Sequence, residues 1–149
     1  MIIQTKYLGE VEIAEDQIIK FPQGVLGFEQ HQEFIILDIF DNDNFKILQD
    51  LKHPNIAFFI INPWNFYKDY IVDIPDEELG KIGIFPSRHK DKDIMVFNIV
   101  TLGKTFKEST ANLLAPIVIN MVNREGRQFI QNNTEYSTRH KLFSEGNGE

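Results

Sequence analysis

The feature that most constrains this chain is the brevity of its apolar runs. Apolar stretches of helix length are missing; in their place stand segments such as 34–39, 45–51, 56–61 and 94–102, each a few residues long, with Gly, Pro, Asn or Asp between them. Runs of that length suit strands, whereas a helix needs a longer segment repeating every three to four residues. Ile3, Thr5 and Tyr7 share one strand face, Gly9 permits a turn, and Val11 and Ile13 alternate with Glu10 and Glu12, which together predict a hairpin. Ile18 to Phe21 reads as a third strand stopped by Pro22, whose missing N–H cannot join a ladder. The runs 56–61 and 94–102 are apolar on both faces and belong in the middle of the fold, with Asn98 the clearly polar exception before Thr101. The stretches 117–122 and 127–131 flank Asn123-Arg124-Glu125-Gly126, read as a hairpin loop with Gly126 in the left-handed conformation.

Helix is scarce. The best candidate follows Pro75, where Asp76, Glu77 and Glu78 suit the positive end of a helix, Leu79 and Ile82 share a face, and Gly83 supplies the stop. A short turn is expected around residues 29–32. The expectation is a mainly β fold: an antiparallel, barrel-like single domain over residues 1–143 with one or two short helices, closed so as to protect its edges. Residues 144–149 carry no apolar side chain and read as a disordered tail.

Composition narrows the chemistry. With no cysteine among 149 residues, disulfides, thiolate metal sites and cysteine nucleophiles are excluded. No apolar run approaches the roughly 18 residues that span a bilayer, and the N-terminus turns polar too soon for a signal peptide. The expected compartment is the cytoplasm, and the sequon Asn132-Asn133-Thr134 is read as chance. A net charge of −7 opposes a phosphate backbone, and the basic clusters Arg88-His89-Lys90 with Lys92, and Arg139-His140-Lys141, are weak. Acidity favours encounter with a basic protein instead.

Catalytic and metal motifs fail one by one. His31-Gln32-Glu33 lacks the cysteine half of a zinc-deaminase signature. The segment 41–44 begins like a calcium loop but has Lys46 and Lys52 where Gly and Glu are required, so it reads as a solvated turn. His31, His53, His89 and His140 are far apart in sequence and read as surface or loop residues. Neither a nucleophile elbow nor a phosphate loop is present, and Gly24 and Gly27 read as a tight turn before Phe28. No catalytic residue, metal or cofactor is expected. The aromatics need another explanation: Trp64, Phe66, Tyr67 and Tyr70 fall within seven residues of expected loop. They either form a lid on the core or are displayed as binding anchors, the role in which Trp and Tyr carry most energy.

Several segments carry a resemblance. Residues 1–11, the run Ile19-Lys20-Phe21-Pro22-Gln23-Gly24-Val25-Leu26-Gly27-Phe28-Glu29, then Leu48-Gln49, Ala57-Phe58, Pro63 with Asp69-Tyr70, and finally 111–120 with Gly126 and Gln128, resemble in order the flagellar assembly factor FliW family. Val25 and Leu26 depart from that family's G-L-P-G turn, and losing the proline is expected to loosen it. The resemblance implies a β-barrel-like, non-enzymatic regulator, monomeric when free. It would bind flagellin in the cytoplasm and antagonise the translational repressor CsrA, coupling flagellin translation to export. An RNA-binding β-barrel and a small enzyme of unrecognised type are the alternatives. Phe21, Gly24, Gly27, Phe28, Asn112, Pro116, Asn120 and Gly126 are read as structural: glycines for the turn, Pro116 to start a strand, and Asn112 and Asn120 to satisfy buried backbone groups. The residues expected to contact partners are Trp64, Phe66, Tyr67, Tyr70 and Phe106.

Overall fold

A computed structural model describes residues 1–39, 42–88, 90–132 and 135–143. The expected tail 144–149, His89, Asp41 and most of the sequon lie outside the described residues. Eleven strands follow in order: β1 (Ile2–Gln4), β2 (Glu10–Glu12), β3 (Ile19–Lys20), β4 (Glu33–Ile39), β5 (Asn42–Asp50), β6 (Ala57–Ile61), β7 (Ile94–Thr101), β8 (Thr110–Ala111), β9 (Ile117–Asn120), β10 (Glu125–Gln128) and β11 (His140–Lys141). One α-helix, α1 (Asp76–Gly80), and short 3-10 turns complete the set among the described residues.

Seven strands close on themselves. The order β3-β4-β5-β6-β7 continues through β9 and β10, and β10 returns to β3, so the sheet forms a barrel without a free seam. The pairings are antiparallel except β10 with β3, which meet in parallel at Glu125 and Lys20. Closure removes the unpaired edge that an open sheet would present to other chains.

Alternation along the strands fills the interior from one face. Phe34, Leu48, Ile60, Phe97, Ile117 and Ile119 pack with Ile19, Phe21 and Val25 as the barrel interior. The outward set is apolar as well, because the barrel is clad. The β1–β2 hairpin lays Ile3 and Ile13 over Ile35, Leu37 and Ile47. The segment around α1 brings Ile82 and Ile84 onto Val118 and Phe129. A third layer, containing Tyr70, Leu113 and Leu142, covers Phe45, Ile61 and Val100. This explains why strands β6 and β7 read as apolar on both faces.

The local signals behave as physical chemistry requires. Helix α1 starts after Pro75, and the turn that follows it closes on Gly83, whose φ of 76° lets Ile84 N–H reach back to Leu79 O at 3.0 Å. Asn112 Oδ1 accepts from Ala115 N at 2.9 Å, and Asn120 Nδ2 donates to Ile82 O at 2.9 Å, so both do serve buried backbone. Pro116 directly precedes β9, as expected. At Gly24 (φ 69°) a Cβ would stand 2.5 Å from the Glu29 backbone, which fixes glycine there on two grounds. Phe28 packs edge-on against Phe58, their centroids 5.1 Å apart.

Three expectations need correction. Gly126 is not in the left-handed region; Arg124 is, with φ 59°, while Gly126 lies within β10. Glycine suits 126 because a Cβ would stand 2.8 Å from the buried Phe21 ring, which would have to shift. Asp43 and Asn44 are exposed as expected, but Asn42 to Asn44 belong to the start of β5 rather than to a turn, where Asn42 Oδ1 accepts from the amides of Asn44 and Phe45 and supports an irregular pairing. Thr5 and Tyr7 fall in the β1–β2 turn rather than on a strand, with Thr5 N–H donating to Gly9 O at 2.9 Å. In the turn that lacks the family's proline, the Leu26 amide donates to Gln128 Oε1 at 3.0 Å, a bond proline could not make.

Candidate protein-binding surface

The aromatic segment leaves β6 through Asn62, whose side chain accepts from Trp64 N at 3.1 Å and caps a 3-10 turn over Pro63–Asn65. Proline at the first position suits that turn, since its missing N–H would have no partner there. The chain then folds back, with Tyr67 N–H donating to Pro63 O and Tyr70 N–H to Tyr67 O.

The rings differ sharply in exposure. Tyr70 is only 4% exposed and is no contact residue; this corrects the sequence expectation. Its hydroxyl donates to Leu113 O at 2.6 Å and accepts from Asn98 Nδ2 at 3.2 Å and Gln131 Nε2 at 3.1 Å. Burial holds its phenol above the ordinary tyrosine range, with the two amide donors acting the other way. Tyr67 is half-buried and donates to Lys141 O at 2.6 Å, and desolvation raises its pKa too. These two tyrosines form the lid.

Trp64 and Phe106 are displayed. Trp64 is 41% exposed, and its indole N–H donates to Tyr70 O at 2.9 Å, which fixes the ring from beneath. It borders an apolar groove of about 530 Å³ lined by Val72, Ile74, Leu79, Pro86 and Val96 among others. Phe106 is 54% exposed and stands on a short 3-10 turn, its centroid 5.3 Å from Phe45 and 5.2 Å from Phe143. Phe66, half-buried, joins that cluster at 5.7 Å from Phe45. One segment therefore supplies both an exposed indole at the rim of an apolar groove and part of an aromatic cluster built on Phe45 of β5 and on Phe143.

A second constellation was not expected from sequence. His31 and His53, read as scattered, both meet the Asp50 carboxylate: His31 Nδ1 lies 2.6 Å from Oδ2 and His53 Nδ1 lies 3.3 Å from Oδ1. They line a cavity of about 400 Å³. The short-range signal was Asp50 with His53 at a turn; the approach of His31 depends on strand pairing and leaves no local trace.

Comparison with known proteins decides the family. The family described as FliW protein matches residues 2–142. The chain belongs to the FliW family. Flagellar assembly factor FliW of Geobacillus thermodenitrificans is 39% identical over 145 residues, covering 97% of each chain. That of Bacillus subtilis is 36% identical, covering 97% of this chain and 99% of its own. A crystal structure of the flagellar assembly factor FliW superposes with a TM-score of 0.88 at 38% identity, covering 98% of this chain and 99% of that one. The mainly β barrel of this FliW-family chain thus matches a solved fold over nearly its whole length. Among the described residues, no helix is long and apolar enough to cross a membrane.

Proposed function

We propose that this chain is a cytoplasmic flagellar assembly factor that binds flagellin and, in competition with it, the translational repressor CsrA. Family membership supports the assembly role, and the relatives carry that name. The observation that carries a binding mode is Trp64: an exposed indole held by a buried tyrosine's backbone at the rim of an apolar groove. A preordered aromatic beside apolar walls is the arrangement in which a single side chain dominates an interface. We assign the groove to an apolar segment of flagellin, and Phe106 with Phe66 to the second contact region. Export of flagellin would free the chain to sequester CsrA, so RNA is controlled one step removed. The net charge of −7 fits a basic protein partner, mostly through the association rate.

Calorimetry of the purified chain with flagellin tests the assignment. Trp64→Ala is expected to weaken binding by about 2 kcal/mol, roughly thirtyfold. Unchanged affinity would remove flagellin from the groove, and no heat with either protein would remove the whole reading. Competition predicts that size exclusion of all three proteins yields binary complexes, and a ternary peak would refute it. An RNA-binding role instead predicts retardation of an RNA probe that fades as salt rises.

A further inference from the structure

We propose that His31, Asp50 and His53 form a binding site for one transition-metal ion of the zinc class. The donor set is two imidazoles and a carboxylate, with one potential ligand atom from each lying within 4.8 Å of the others. Imidazole selects zinc, nickel and copper over calcium and magnesium, which take oxygen ligands.

The three groups stand on ordered backbone. Asp50 ends β5 and is only 2% exposed, and its Oδ1 accepts from the amides of Lys52 at 2.8 Å and His53 at 3.0 Å. That turn both orients the carboxylate and delivers the His53 ring. His31 is delivered by the turn after Phe28, whose carbonyl accepts the His31 amide at 3.0 Å. The two rings meet edge to face with centroids 4.5 Å apart.

The three donors lie close enough to share an ion once the His31–Asp50 pair opens, with Asp50 Oδ2 as the oxygen not already held by backbone amides. Two ligands held at 2.0–2.1 Å on a tetrahedral zinc lie about 3.3 Å apart. His53 Nδ1 and Asp50 Oδ1 are already separated by 3.3 Å. His31 Nδ1 and Oδ2, at 2.6 Å, share a hydrogen bond and must separate by about 0.7 Å to reach that ligand spacing. Lys20, Glu33 and Lys52 also line the cavity, and Lys52 pairs with Glu33 at 3.1 Å. Two lysines against Asp50 and Glu33 leave no excess of negative charge, so attraction alone would not gather a hard cation. Directional bonds from the imidazole nitrogens are what would select the ion.

The test uses tag-free full-length chain, stripped with a chelator, titrated with zinc by calorimetry and with cobalt(II) by visible absorption. The expected result is one equivalent bound with a micromolar Kd and cobalt bands of a four- or five-coordinate ion. His53→Gln, at an exposed position that tolerates a polar side chain, is expected to weaken binding at least about tenfold. His140→Gln, on β11 and outside the cavity lining, leaves it unchanged. Zinc binding that survives His53→Gln, falls equally with His140→Gln, or is no tighter than millimolar in the unaltered chain would overturn the proposal. Melting with and without zinc gives a second readout: the rise in Tm should vanish in His53→Gln, and a persistent rise would place the ion elsewhere.

Discussion

Gly126 shows how a single residue carries more than one reading until its neighbours are known. A glycine after Asn-Arg-Glu suggests a left-handed turn position, yet that conformation falls to Arg124, and Gly126 sits in strand β10 against the Phe21 ring. The requirement is therefore steric contact between neighbours on β10 and at the end of the adjoining β3, residues remote in sequence. Gly126→Ala is expected to destabilise the chain by about 1–3 kcal/mol, the usual cost of forcing an extra carbon into a packed core. Denaturant unfolding measures it as a lower midpoint with an unchanged slope. A neutral result would mean that Phe21 can move aside. His31 and His53 teach the same lesson: the Asp50–His53 turn is visible in the sequence, but the arrival of His31 is set by the pairing of β4 with β5.

At the scale of elements, legibility follows length and pattern. β4, β5, β6 and β7 are long enough to show their apolar character, and α1 announces itself by Pro75, three acids and Gly83. β8 and β11 are two residues each, Thr110–Ala111 and His140–Lys141, and two residues cannot display a period. The aromatic segment was legible as a unit but not in its division of labour, because exposure of each ring depends on what lies beneath it. Tyr70 is the pin of that segment, joining it to Asn98 on β7, Leu113 and Gln131. Tyr70→Phe is expected to cost about 1–2 kcal/mol, since Leu113 O, Asn98 and Gln131 keep alternative partners but lose a shared one. Hydrogen exchange should then show faster opening of residues 63–70 than of β6, while equal protection in both chains would assign the pin elsewhere.

Among the described residues the molecule is a barrel whose outer face is covered by adjoining apolar layers, and one of those layers is closed by phenols. Tyr67 ties the aromatic segment to the β11 backbone and Tyr70 ties it to Leu113, and burial raises the pKa of both above the ordinary tyrosine value. The sign follows from linkage. Once the pH passes that ordinary value, the unfolded chain has lost these protons and the folded chain still holds them, so further rise favours unfolding. The stability contributed by the protonated phenols is complete below about pH 10 and is lost as pH climbs toward the raised folded values. Unfolding free energy should therefore fall steeply above that pH. In the double variant Tyr67→Phe, Tyr70→Phe the chain starts less stable but should lose less per pH unit over the same interval. Equal slopes in the two chains, measured by denaturant titration at several alkaline pH values, would show that these phenols do not govern closure of the layer that displays Trp64 and Phe106.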